Sequence, residues 1–257
     1  MGSGALQVVE MEYLNHVTLI TGANGGLGSE IAKHLLTLGY KNIACHYRGS
    51  PERAASVLTE FGLEHSKHLF QADLTDETQV QAMHKAISES LGPVTNIINL
   101  AGGSTNGMSW KISSSDYQEV IDMNLKSTFL VCKEFIPELR GSRLGRIVNI
   151  SSVVAFKGVV GASHYCAAKA GIAGYSVAIA QELASSNITV NVIALGYFDT
   201  GLITHVPEDI QKTIIDSIPL KRFGTTEEIT GLLNYLLSPA GAYMTGQVLH
   251  LNGGLYS

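Results

Sequence analysis

Tyr165 and Lys169 stand four residues apart, and Ser151-Ser152 lies a short way upstream. At that spacing the phenol and the ammonium project from one face of a helix. A neighbouring positive charge favours the phenolate and so lowers a tyrosine pKa from its ordinary value near ~10. Reaching about 7 takes roughly three units, or about 4 kcal/mol of differential interaction. The Lys169 ammonium supplies part of that, and a positively charged ligand would supply more. A phenol tuned in this way can give a proton to a carbonyl oxygen, or take one from an alcohol, near neutral pH. A serine hydroxyl at the same oxygen would orient and polarise it. The pair alone also fits an ordinary amphipathic helix, so the case rests on the elements that would position it.

From His16 onward, short apolar runs alternate with helix-length amphipathic segments. That alternation predicts one α/β domain over residues 12–257, with a doubly wound, seven-stranded parallel sheet and helices on both faces. The strands are expected at 17–21, 42–47, 68–72, 95–100, 146–151, 188–194 and 247–251. Helices are expected from the first glycine cluster to about 38, over 51–61, 77–90 and 116–139, and from the Tyr165 segment to about 184. Two more are expected over 210–217 and 226–237. In this layout Ser152 leaves the carboxyl end of the fifth strand, the end where such sheets bind ligands.

The other polar and glycine-rich positions fall at the same end. Thr21-Gly22-Ala23-Asn24-Gly25-Gly26-Leu27-Gly28 joins the first strand to the first helix. Such a turn lets backbone approach a pyrophosphate, which then meets the free N–H groups of the helix start. The second strand ends in His46-Tyr47-Arg48 with no acidic residue. An acidic side chain there would hold a ribose 2′-hydroxyl, whereas an arginine suits a 2′-phosphate. Arg48 therefore favours NADP(H) over NAD(H), although a solvated loop arginine would look the same. Asp73-Leu74 closes the third strand, where the carboxylate can meet an adenine amino group or cap the next helix. Asn99-Leu100-Ala101-Gly102-Gly103 closes the fourth, with residues small enough for backbone to pass close to a ribose. Asn124 falls inside a predicted helix, where asparagine competes for backbone bonds; it holds a water near the site or is a helix defect. A polar loop over 104–115 carries the only tryptophan, Trp110, as a substrate mouth or a packing anchor. Residues 196–209 read as a lid.

Composition removes several function classes. The chain has 257 residues, 45% hydrophobic and 15% charged, enough for one full core. Its formal charge of -5 argues against nucleic acid as a partner. No apolar run reaches the ~18 residues of a membrane span. Cys45, Cys132 and Cys166 are scattered, which fits buried thiols in a reducing cytoplasm. His65 and His68 have no accompanying ligand pattern, so no metal is expected. Residues 1–11 read as a disordered leader or cloning scar outside the fold; they lack the basic start and apolar stretch of a signal peptide.

Taken together, Thr21-Gly22 with Gly26 and Gly28, Asp73, Asn99 with Ala101-Gly102, Asn124, Ser152 and Tyr165 with Lys169 resemble the short-chain dehydrogenase/reductase family from residue 12 onward. The resemblance implies a Rossmann-like NAD(P)-dependent oxidoreductase, usually a homotetramer. It implies a catalytic set of Asn124, Ser152, Tyr165 and Lys169. Lys169 would bind the ribose while tuning Tyr165, helped by the nicotinamide ring of an oxidised cofactor, and Asn124 would hold a water in the proton supply. The cofactor would meet Gly22, Asn24, Gly26, Leu27, Gly28, Arg48, Asp73, Leu74, Asn99, Ala101, Gly102, Tyr165, Lys169, Phe198 and Thr200.

Within the family the chain is most similar to bacterial 3-oxoacyl-acyl-carrier-protein reductases of fatty acid biosynthesis. Residues 145–152, 218–224 and 243–256 carry that likeness. It implies reduction of a 3-oxoacyl thioester, with another ketone, a sugar or a secondary-pathway thioester as the alternative and a non-catalytic cofactor binder as a third. Three departures bear on it. Leu195 replaces a usual proline, which would loosen the turn that holds the nicotinamide amide. Gly25 replaces a basic residue of NADP-using members. Of the two arginines that dock an acyl carrier protein, Arg143 matches one and Ser186 replaces the other.

Overall fold

The computed structural model describes residues 12–141 and 145–257. Its strands are β1 (Val17–Thr21), β2 (Asn42–Tyr47), β3 (Leu69–Gln71), β4 (Val94–Asn99), β5 (Arg146–Ser152), β6 (Thr189–Leu195) and β7 (Val248–Leu251). All pair in parallel, in the order β3-β2-β1-β4-β5-β6-β7. The order reverses between β1 and β4, which opens a crevice at their carboxyl ends. Central strands are covered on both faces, so they read as continuous apolar runs. Every residue of β1 and of β6 is buried.

The helices longer than one turn are α1 (Gly26–Thr37), α2 (Glu52–Glu60), α3 (Glu77–Leu91), α4 (Ser114–Ile121), α5 (Ser127–Leu139), α6 (Ser163–Leu183), α7 (Glu208–Ser217) and α8 (Thr226–Leu237). One apolar layer packs α3, α5 and α6 on the sheet through Met83, Ile87, Phe135, Ile179 and Leu183. The opposite layer packs α1, α2 and α8 through Ile31, Leu35, Leu58, Ile229 and Leu233. The doubly wound α/β architecture is the one read from the sequence.

Two expectations are corrected. The long helix over 116–139 is interrupted by a π-helical turn, Asp122–Lys126. Asn124 sits in it, fully buried. Its Nδ2 donates to Val120 O at 2.8 Å and to Gly103 O at 2.7 Å. The side chain thus takes a carbonyl of its own helix and a second one outside it. Neighbouring hydroxyls take others, with Ser127 Oγ donating to Met123 O and Thr128 Oγ1 to Asn124 O, both at 2.8 Å. Such single wide turns recur at functional sites.

Leu195 does not loosen its turn. It extends β6 by one residue, in register with Ser152 and Leu251. Val153 N–H donates to Leu195 O and Gly196 N–H to Leu251 O, both at 2.8 Å. Of the two readings left open for Trp110, the packing anchor is excluded: the side chain is 76% exposed.

Candidate active site

The glycine turn stands at the reversal point of the sheet. Gly22 has φ +71, a conformation L side chains rarely adopt. A Cβ on it would stand 3.0 Å from the Ala101 Cα, so β1 and β4 end with backbone against backbone. Thr21 Oγ1 fixes this contact by accepting from Leu100 N–H and Ala101 N–H, each at 3.0 Å. Gly28 packs the first turn of α1 onto Gly22 O, too close for any side chain. A Cβ on Gly26 would lie 3.2 Å from the Gly201 Cα and 3.4 Å from Thr200 Oγ1, which brings the start of α1 to the mouth of the 196–209 segment. Leu27 is half-buried at the same helix start. These close approaches form a cradle of backbone that fits a dinucleotide pyrophosphate.

Some residues predicted to touch the cofactor use their side chains elsewhere. Asn24 Oδ1 accepts from Arg53 N–H at 2.8 Å and Ala54 N–H at 3.2 Å, so it caps the start of α2. Asn99 points inward, where Nδ2 donates to Asn149 Oδ1 at 2.8 Å and to Cys132 Sγ at 3.4 Å. Asn149 Nδ2 continues to Ser176 Oγ at 2.8 Å, a buried polar chain joining β4, β5 and α6. Both side chains are therefore engaged within the protein, which leaves their backbones to face the crevice. Leu74 is buried in the core beneath the loop.

Asp73 Oδ1 accepts from Thr75 N–H at 2.9 Å and from Thr75 Oγ1 at 2.7 Å, and these bonds hold its carboxyl below the usual carboxylate range. The cap of α3 is Asp76, which accepts from Thr78 and Gln79 N–H. Arg48 is exposed beyond β2, and its charge also favours ionised Asp73.

Around the end of β5, four side chains converge. Ser152 Oγ is hydrogen-bonded to the phenol of Tyr165. Lys169, 4% exposed, donates from Nζ to Ile150 O at 3.0 Å. Its own carbonyl accepts from Ser151 Oγ at 2.8 Å, which ties α6 to β5. Lys169 Nζ lies 5.7 Å from the centroid of the Tyr165 ring. Gly102 is the fourth wall: a Cβ there would collide with Asn124 Oδ1 and stand 3.5 Å from Lys169 Nζ. Asn124 Oδ1 is buried with no partner among the described residues.

The electrostatics differ from the sequence expectation. Burial pushes the Tyr165 phenol up to about 12; Cys166 adds to this, and the bond from Ser152 opposes it. Burial also lowers Lys169 to about 8. The ammonium sits over the ring and on a carbonyl instead of on the phenol oxygen, so it does not offset the loss of solvent.

Phe198 is buried beside Gly224, whose missing side chain makes room for the ring, and Asp199 N–H donates to Gly224 O at 3.1 Å. Thr200, half-buried, precedes a 3-10 turn, Gly201–His205, that leads to α7. Arg143 lies outside the described residues, and Ser186 sits in the 3-10 turn Ala184–Ser186 after α6. Among the described residues no cluster suits a metal ion, and no helix is long and apolar enough to cross a membrane. Cys45 and Cys132 are buried free thiols, and Cys166 is half-buried.

The sequence alone did not single out His46, Thr21 or Asn149 as side chains that shape this crevice. Their partners are far away in the chain, and only the polarity of these strand residues hinted at them.

A glycine turn at the reversal point of a doubly wound parallel sheet defines a dinucleotide-binding α/β protein. The short chain dehydrogenase family model matches residues 16–211, and the chain belongs to that family. It is an oxidoreductase acting on keto or CH–OH groups, in a family that binds NAD(P). It is similar to an acetoacetyl-CoA reductase from Acinetobacter sp. (strain RA3849), 43% identical over 93% of this chain and 97% of that protein. It is 39% identical to nodulation protein G of Azospirillum brasilense, over 93% of this chain and 97% of the other. It is 35% identical to the 3-oxoacyl-acyl-carrier-protein reductase FabG of Staphylococcus epidermidis (strain RP62A), over 95% of this chain and 100% of that one.

Proposed function

We propose that this chain reduces a 3-oxoacyl thioester to the 3-hydroxyacyl thioester with NADPH. The observation that carries the reading is the convergence of Ser152, Tyr165, Lys169 and Asn124 at the carboxyl end of β5, facing the Gly22–Gly28 cradle across Gly102. The names of the relatives support the substrate class, since one is an acetoacetyl-CoA reductase and another a 3-oxoacyl reductase.

When bound, a reduced nicotinamide would supply the hydride for the ketone carbon. Ser152 Oγ donates a hydrogen bond to the ketone oxygen and orients it beside the phenol. Tyr165 gives its proton to that oxygen as the alcohol forms. Lys169 would hold the ribose and return a proton toward Tyr165, with Asn124 Oδ1, buried without a partner among the described residues, able to accept from a water on that route. Gly22, Gly26, Gly28, Ala101 and Gly102 admit the dinucleotide, and Asp73 takes the adenine. Arg48, exposed beyond β2, would pair with a 2′-phosphate and so select NADPH. Phe198 and Thr200 close the nicotinamide end. A second copy packs on the exposed apolar face of α5 and α6, where Phe129 and Val177 are 42% and 40% exposed and Gly174 is open, on the way to a homotetramer.

The test is turnover of acetoacetyl thioesters, followed by loss of reduced-cofactor absorbance, with NADPH and NADH compared. Carrier-bound, CoA-bound and free ketones form the panel. Thioester turnover with NADPH preferred is expected. Efficient reduction of free ketones alone rejects the thioester, and equal use of NADH rejects the role of Arg48.

A further inference from the structure

His46, on β2, is 2% exposed and stands between two backbone groups that leave its ring only one protonation state. Gly22 N lies 3.0 Å from His46 Nδ1, and Ala72 O lies 3.0 Å from His46 Nε2. An amide N–H can only donate, so Nδ1 must accept. A carbonyl oxygen can only accept, so Nε2 must carry the hydrogen. The ring is therefore neutral, with its proton on Nε2. The backbone repeats the link on each side: Ala23 N–H donates to His46 O at 2.8 Å and Ala72 N–H to Tyr47 O at 3.1 Å.

Those two contacts join separate parts of the crevice. Gly22 opens the glycine turn, and its N–H precedes the helix, so no intrahelical acceptor exists for it. Ala72 sits immediately before Asp73. Asp73 and Arg48 are the charged groups that face the ring, and their influences oppose each other: the carboxylate favours a charged ring and the guanidinium disfavours it. Burial outweighs both and keeps the ring neutral.

We infer that His46 is a positioning residue of the cofactor site, whose neutral ring holds the glycine turn and the Ala72–Asp73 loop in the spacing that receives the adenosine diphosphate half of the dinucleotide. This rests on the dinucleotide reading given above. It adds a side chain that touches neither substrate nor cofactor and acts through Gly22 and Ala72.

The test compares the wild-type chain with His46→Phe and His46→Asn. Phenylalanine keeps a flat aromatic ring, one ring atom larger, and removes both hydrogen-bonding nitrogens. Asparagine offers an oxygen near the Nδ1 position. NADPH and NADH dissociation constants are measured by cofactor fluorescence, with kcat and KM for NADPH beside them. His46→Phe is expected to raise the NADPH Kd and KM about tenfold, the scale of a lost buried hydrogen bond, with kcat at saturating NADPH within about twofold of wild type. His46→Asn is expected to recover most of the affinity. A folded Phe variant that binds NADPH like wild type overturns the proposal, as does a fall in kcat with KM unmoved. Wild type that binds neither NADPH nor NADH overturns the dinucleotide reading and the proposal with it.

Should His46→Phe fail to fold, nitrogen-15 NMR of the wild-type ring decides. A neutral imidazole protonated on Nε2 supports the inference. A ring protonated on Nδ1 near neutral pH overturns it.

Discussion

Lys169 Nζ and Asn124 Oδ1 converge on the side of Gly102 where a Cβ would stand. The first comes from α6, the second from the π-helical turn between α4 and α5, and the glycine from the loop after β4. Gly102→Ala would push its methyl into the Asn124 carboxamide, which is held by Val120 O and Gly103 O and has nowhere to turn. Turnover is expected to drop at least about tenfold, because a small misplacement of catalytic groups is costly. Stability is expected to fall by about 1–3 kcal/mol, the range for overpacking a filled interior. Steady-state kinetics and urea unfolding check the two parts. Wild-type turnover in Gly102→Ala would show that this convergence plays no part in catalysis.

Asn124→Ala tests the other side of the same contact. It leaves the Gly103 and Val120 carbonyls without the Nδ2 donor. The expected loss of stability is about 2 kcal/mol, within the range for buried groups left unsatisfied. Activity is expected to fall as well, because Oδ1 is lost. A variant with reduced stability and full turnover would limit Asn124 to holding the π-helical turn.

Tyr165→Phe removes the phenolic hydroxyl and little else. Turnover is expected to fall by about 10²–10⁴-fold, the usual share of a general acid. Cofactor affinity is expected to stay within about twofold. Fluorescence titration separates the two effects, and loss of NADPH binding in place of turnover would move Tyr165 from proton donor to cofactor contact.

The sheet was legible from the sequence because parallel strands buried on both faces are apolar throughout, and β1 and β2 fall where that pattern placed them. The glycine turn was legible because close backbone approach leaves only glycine at Gly22 and Gly28. Tyr165, Lys169 and Ser152 were legible through spacing and strand-end position. What escaped depends on distant partners. The π-helical turn at Asn124 needs Gly103 O, 21 residues earlier in the chain. Asn99 turns inward because Asn149 is there to accept, 50 residues away. His46 reads as a polar strand residue until Gly22 and Ala72 close around it. The upward shift of Tyr165 was missed for a related reason: spacing put Lys169 on the right face, but it could not show that Ile150 O takes the ammonium.

Stability against acid carries a signature of His46. Burial lowers its pKa to about 4 in the folded chain, while the ordinary value of 6.5 applies when the chain is unfolded. Between those values the unfolded state binds more protons, so stability rises with pH there. The contribution is complete above about 6.5 and is lost as pH falls through about 4. The whole swing is roughly 3 kcal/mol for 2.5 units. Urea midpoints followed from pH 4 to 7 should show this slope, reduced in His46→Asn. The same slope in that variant would assign it to other groups.

Lys169 sets the last expectation, a descending limb in the pH profile. Its folded pKa is lowered to about 8 by burial, with no carboxylate among the causes to restore it. Under the proposed mechanism the ammonium is the form that would donate to a ribose hydroxyl and feed protons toward Tyr165. It is present below about 8 and lost as pH rises through that value. Tyr165, pushed up to about 12, keeps its proton throughout this range and does not add a limb of its own. The kcat/KM for NADPH, which reports ionisations of the free enzyme, should therefore fall above about 8. Lys169→Arg keeps a positive charge at every accessible pH, so its residual activity should lack the limb. A profile in which wild type and Lys169→Arg fall together would place the ionisation on another group.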